Sequence, residues 1–188
     1  IYAPRLEGQV NALERAYQDA GIDPASIGLI EAHGTGTQAG DPTEFKALNQ
    51  VLCANHARPN SIALGSVKSQ IGHTKAAAGA ASLIKVALAL HHKILPPTIN
   101  IAKPNAKLDL ENSPLYLNTK PRPWIRANGS EPLRAGVSAF GFGGTNFHVV
   151  LEEYVSRTLD TNPGQTGSPY RLQNVSELIL LCASTPDQ

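Results

Sequence analysis

Methionine is absent from this 188-residue chain, which opens on Ile1, so it carries no initiator residue and is expected to be a piece of a longer polypeptide. Aromatic residues make up only 5% of it, with a single tryptophan, and that leaves no series of stacking platforms for single-stranded nucleic acid. An excess of charge of one sign is missing too: 16 Lys and Arg face 15 Asp and Glu, a net charge of +1. Without a basic stripe, no nucleic-acid partner is expected. The only two cysteines, Cys53 and Cys182, are far apart in sequence and lack metal-ligand spacing. They exclude a disulfide framework and, with no secretory segment, point to a reducing cytoplasm and to no metal. The longest apolar stretch, about Lys75 to His92, is too short and too rich in alanine to cross a membrane, so no membrane partner is expected.

What is present suits a core. Hydrophobic residues are 41% of the chain, enough for one domain or a domain with a tail. Glu7 to Ala20 places Val10, Leu13, Ala16, Tyr17 and Ala20 on one stripe before Gly21, which predicts an amphipathic helix. Gly28-Leu29-Ile30 and Ser61-Ile62-Ala63-Leu64 read as short buried strands. Asp41-Pro42-Thr43-Glu44 has the form of a helix start, with an acid at the cap and another three residues on, and predicts a helix to about Cys53. Lys75 to His92 is apolar nearly all round, with Lys85 its only interior charge, and predicts a helix buried in a core. Thr98 to Ser113 reads as an irregular connection punctuated by proline, and Leu115 to Leu117 as a minor strand. Arg134 to Phe140 and Thr145 to Glu153 read as strands joined by Gly141-Phe142-Gly143-Gly144, where positive φ values are expected. Residues 154–177 have linker composition, and Leu178 to Leu181 resembles the first strand of a following region, 178–188.

Three strands thus end in loops that carry chemistry. The first is Glu31-Ala32-His33-Gly34-Thr35-Gly36-Thr37, where glycines let a ligand approach the backbone and two threonines offer hydroxyls. Taken alone, His33 is either a catalytic group or a satisfied structural one. The second loop carries Lys68 and His73; the third holds Phe142 among glycines. Strand-end loops of an α/β sheet are where ligands bind, and three converging loops would form one site. Asp41 and Glu44 have a complete explanation as helix caps. His56, His91, His92 and His148 read as solvated, capping or core histidines.

The segments EAHGTGTQAGDPTE, GSVKSQIGHTKAAAGA and AGVSAFGFGGTNFHVVLEE resemble, in order and spacing, the carboxy-terminal half of a β-ketoacyl synthase, over residues 1–153. IYAPR, HHKILPPTIN, NSPLYLN and YRLQNVSELILL are similar to type I polyketide and polyunsaturated fatty acid synthases. The resemblance implies a thiolase-like fold, of which this chain supplies the second half: a mixed five-stranded sheet layered with helices, incomplete without the amino-terminal half. It implies decarboxylative condensation of malonyl, carried on the phosphopantetheine arm of an acyl carrier protein, with an acyl group on a cysteine. By the same resemblance His33 and His73 hydrogen-bond the malonyl thioester, Lys68 orients His73, and the Phe142 amide with Gly143 belongs to an oxyanion hole. Phe140 and Phe142 gate the acyl pocket, Thr35 and Thr37 touch the arm, and Asp41 and Glu44 join a supporting network. The nucleophilic cysteine would lie upstream of Ile1, so the segment alone is expected to be inactive and prone to aggregate. An adjacent acyltransferase domain and a homodimer follow as expected partners; no cofactor bound by the chain itself does. Some family members place a glutamate where this chain has Ser82. Two other readings are a degenerate, non-catalytic ketosynthase-like protein that sets chain length or docks carrier protein, and a docking module stable by itself.

Overall fold

The computed structural model describes residues 3–125 and 131–155, without the side chain of Phe142. The linker expected over 154–177 lies, apart from residues 154 and 155, outside the described residues, as does the strand expected at Leu178 to Leu181.

Helix α1 (Leu6–Ala20) is closed by Gly21, whose φ of 63° allows its amide to reach back to Gln18 and Tyr17. Strand β1 (Leu29–Glu31) follows, then helix α2 (Gly40–Ala54), β2 (Ile62–Gly65), the short helix α3 (Lys68–Ile71) and helix α4 (Ala78–His92). Next come β3 (Ile94–Leu95), β4 (Leu115–Leu117), β5 (Arg122–Pro123), β6 (Arg134–Phe140) and β7 (Asn146–Glu152). Five strands form one sheet in the order β4-β2-β1-β6-β7. All neighbours are parallel except β6 and β7, so the sheet is mixed, as expected. The small β3-β5 sheet was not legible in the sequence; its strands are two residues each.

Alternation along the strands divides the interior into two cores. Ile30, Ile62, Leu64 and Leu115 face α1 and α2, where they meet Val10, Leu13, Tyr17, Leu48 and Leu52. Leu29, Ala63, Ala135 and Val137 face the other way, onto Val86, Ala89 and Leu90 of α4. That second side is only half covered. Leu83, Ile84 and Leu88 on the outer face of α4 are 40%, 61% and 52% exposed. The expected core helix is met on one face of α4, which packs on the sheet, while its other apolar face stays open. Its start is corrected, because Lys75–Ala77 form a separate 3-10 turn ahead of Ala78.

Because β1 lies between β2 and β6 and is parallel to both, the loops leaving all three strands emerge at one edge of the sheet. Register fixes their level. Glu31 stands beside Gly65 on one side and Val137 on the other, so His33, the start of the Lys68 loop and Phe140 lie at neighbouring heights.

Candidate active site

Glycine permits the first close approach. Gly34 has φ 45°, and a Cβ there would fall 2.8 Å from the Cβ of Ser66. Any side chain would push the His33 loop off the Lys68 loop. With the two loops in contact, the rings of His33 and His73 meet edge to face at 5.4 Å between centroids, and Phe140 stands 6.3 Å from His33.

Carboxylates hold the His33 loop in place. Glu44, buried on α2, accepts hydrogen bonds from the His33 amide at 2.7 Å and from the Gly34 amide at 2.9 Å. Asp41 accepts from the Gly36 amide at 3.1 Å. The capping expectation for these two acids is corrected: no side chain of the helix start caps α2. The amides of the His33 loop compete for the same acceptors and take them, since no other partner for these N–H groups is found among the described residues. Thr37 does the work expected of Asp41, since its hydroxyl accepts from the Gly40 amide at 3.0 Å. The hydroxyls of Thr35 and Thr37 lie 3.2 Å apart and hydrogen-bond each other. Burial pushes Glu44 up to about 7, against the pull of the two amides.

Each ring has a distinct chemical setting. His73 is exposed, and its Nδ1 accepts from the Lys75 amide at 3.0 Å. In the neutral ring the proton therefore sits on Nε2, which becomes a donor. The direct hydrogen bond from the Lys75 amide selects this tautomer. Desolvation and the charges of Lys68 and Lys75 hold His73 below the ordinary imidazole range. His33 is half-buried, and its Nδ1 is fully enclosed without a hydrogen-bond partner among the described residues. Burial first, then Lys68 and His73, bring it down to about 4, so it is neutral near pH 7.

Lys68 is the third member of the cluster. Its Nζ is enclosed and has no hydrogen-bond partner among the described residues. Burial lowers its pKa, while the charges of Glu44 and Glu31 act in the opposite sense. A cavity of about 790 Å³ adjoins the cluster, lined by Gly34, Thr35, Glu44, Lys68 and His73 and walled opposite by residues of the 98–108 connection. His33 and Phe140 are not on its lining.

Of the residues expected at the site, His33, Lys68, His73, Phe140, Asp41, Glu44, Thr35 and Thr37 are brought together. In the glycine loop, Gly143 and Gly144 have φ values of 78° and 87°, as expected; the Phe142 side chain lies outside the described part. No group of three His, Cys, Asp or Glu able to hold a metal is found among the described residues. Sequence reasoning missed the roles of Glu31 and Lys85. Glu31 is fully buried, and Lys85 meets it at 2.6 Å. The signal was available: a lone acid in an apolar strand and a lone base in an apolar helix must find each other, since neither can be buried unpaired.

With two histidine rings and an enclosed lysine ammonium gathered at one edge of its mixed sheet, the chain has the architecture of the carboxy-terminal half of a thiolase-like fold. The family described as "Beta-ketoacyl synthase, C-terminal domain" matches residues 1–102, and "Ketoacyl-synthetase C-terminal extension" matches residues 104–188. The chain belongs to the β-ketoacyl synthase family, as a carboxy-terminal part of a ketosynthase domain. Its relatives are polyketide and polyunsaturated fatty acid synthases. A polyunsaturated fatty acid synthase of a Thraustochytrium species is 45% identical over 193 residues, an alignment that takes in 100% of this chain and 6% of that protein. Polyketide synthase PksL of Bacillus subtilis is 44% identical over 188 residues, 100% of this chain and 4% of its own. The solved ketosynthase from module 6 of the Bacillus subtilis 168 bacillaene synthase superimposes with a TM-score of 0.79 at 48% identity, covering 82% of this chain and 28% of that one. Ketosynthase twelve of the Bacillus amyloliquefaciens bacillaene synthase gives 0.78 at 43% identity, covering 82% of this chain and 27% of that one. The chain thus spans only a small part of these curated relatives and little more than a quarter of the solved ketosynthases.

Proposed function

We propose that this chain supplies the decarboxylating side of a β-ketoacyl synthase active site. In the complete domain, Nε2 of His73 and the ring of His33 donate hydrogen bonds to the thioester oxygen of a malonyl group carried on the phosphopantetheine arm of an acyl carrier protein. The bond between the α-carbon and the carboxylate breaks, carbon dioxide leaves, and the electron pair becomes an enolate held by those donors. The α-carbon then attacks the carbonyl of an acyl thioester on the nucleophilic cysteine. A carbon–carbon bond forms and the cysteine thiolate leaves. Lys68 orients His73; the Phe142 amide with Gly143 receives the acyl oxygen, Phe140 with Phe142 gates the acyl chain, and Thr35 and Thr37 meet the arm.

The observation that carries this reading is the edge-to-face pair of neutral rings beside an ammonium that has no hydrogen-bond partner among the described residues. Fixed donors aimed at a developing oxyanion cost no reorganisation during reaction, and one such donor contributes about 3 kcal/mol. Imidazolium rings would bind the malonyl carboxylate and oppose its loss; neutral ones favour the transition state over the ground state. Residues 1–153 are assigned to the ketosynthase and 154–177 to a linker ahead of a further region. Acyl carrier protein, an adjacent acyltransferase domain and a second ketosynthase complete the proposed partners, in a cytoplasmic synthase.

The test is His73→Ala and, separately, His33→Ala in the complete ketosynthase, followed by carbon dioxide release from malonyl carrier protein. Each is expected to lower the rate about 10²- to 10³-fold. Release at the parental rate in either variant overturns the reading.

A further inference from the structure

The buried charges outside the proposed chemistry carry a further assignment, which rests on the reading above. Glu31 is the last residue of β1, two positions before His33, and is 0% exposed. One of its oxygens accepts from the Val67 amide, immediately ahead of Lys68. The other meets Nζ of Lys85, on α4, at 2.6 Å. A single carboxylate thus joins the strand that delivers His33, the turn that delivers Lys68 and the helix that follows His73. The space around it is specific. At Gly65 a Cβ would lie 2.9 Å from Oγ1 of Thr98, too close, and in ordinary contact with Nζ of Lys85 at 3.4 Å and Oε2 of Glu31 at 3.7 Å, so a side chain there would disturb the packing beside the pair.

Stability alone does not account for the arrangement. A buried ion pair usually costs as much in desolvation as it returns, and well-packed apolar residues often replace one without loss. What differs here is the third charge. Lys68 has an enclosed ammonium with no hydrogen-bond partner among the described residues, and the charges of Glu44 and then of Glu31 act on it. A Glu31 carboxylate released from Lys85 would have Lys68 as its next cation.

We propose that Lys85 and Glu31 are positioning residues of the condensing centre: Lys85 holds the Glu31 carboxylate on itself and on the Val67 amide, which sets the Lys68–His73 loop against His33 and keeps Lys68 from being captured in an ion pair. Neither group touches the reacting atoms. Their effect passes through the placement of Lys68 and, through it, of His73.

The experiment uses the complete ketosynthase and follows kcat and KM for malonyl decarboxylation separately. Lys85→Met leaves Glu31 free to move to Lys68; kcat should fall about tenfold or more, with KM within about twofold, because only transition-state placement is lost. Adding Glu31→Gln removes the competing carboxylate but keeps an acceptor for the Val67 amide, and should bring kcat back to within about threefold of the parent. A merely structural pair would not give that recovery in kcat at constant KM. Parental kcat in Lys85→Met, or a double variant no faster than the single, overturns the proposal. Should Lys85→Met fail to fold, Lys85→Arg keeps the charge but displaces its head: reduced kcat at constant KM supports the assignment and unchanged kcat overturns it. His73→Ala run alongside separates the two ideas, since its inertness would sink the proposed function, whereas its loss of activity beside an inert Lys85→Met would sink only the positioning role.

Discussion

Two histidines sit inside this protein, and their surroundings differ in one respect that matters. His148, on β7, is almost wholly buried between α1 and β6; its Nδ1 is 3.0 Å from the Ser138 hydroxyl and its Nε2 is 3.2 Å from the Tyr17 hydroxyl. Both nitrogens are satisfied. His33 is less buried, yet its Nδ1 is enclosed with no hydrogen-bond partner among the described residues. Burial lowers both rings, His148 to about 3 and His33 to about 4. Depressed basicity therefore does not distinguish a site from a core. The unspent hydrogen-bonding capacity does, because a satisfied ring has nothing left to offer a ligand.

Exchange of each ring for alanine in the complete ketosynthase should separate them most widely. His33→Ala is expected to abolish most decarboxylation while leaving the unfolding midpoint nearly unchanged, since it removes a group whose enclosed nitrogen was already unpaired. His148→Ala should do the reverse, costing about 2–4 kcal/mol in denaturant unfolding through a cavity and two orphaned hydroxyls, with kcat held. Equal loss of stability in the two variants would break the comparison.

Titration comes next in size. Imidazole resonances of both rings should stay unshifted from pH 7 to 5, with His33 protonating at about 4 and His148 last, at about 3. Either ring titrating near its ordinary 6.5 would contradict the contrast. The sign for stability follows from linkage. Each ring binds its proton more readily in the unfolded chain, so its contribution is whole above pH 6.5 and is lost as pH falls through that window. Glu44, raised from 4.5 to about 7, acts oppositely, adding stability as pH falls from 7 to 4.5. The smallest effect is Tyr17→Phe. It removes one partner of His148 and should cost about 1 kcal/mol in unfolding with unchanged kcat.

Much of the fold was legible along the chain. The stripe of α1, the buried runs of β1 and β2 and the glycine loop between β6 and β7 announce themselves through periodicity and residue type. The convergence of three strand-end loops was legible too, because parallel neighbours release their loops at one edge. Residues with two uses were not. Asp41 and Glu44 have the spacing of a capping box, and nothing local reveals that amides from His33, Gly34 and Gly36 claim them instead.

The sequence by itself determined which chemistry is available here: two histidines and a lysine delivered by strands into glycine-bearing turns, with one lone acid and one lone base in apolar segments. Only the tertiary structure decided how those groups are spent. Hydrogen bonds and ion pairs between residues far apart in the chain depend on register and packing, so it took the folded sheet to satisfy His148, to leave Nδ1 of His33 and Nζ of Lys68 without a hydrogen bond among the described residues, and to place Lys85 on Glu31.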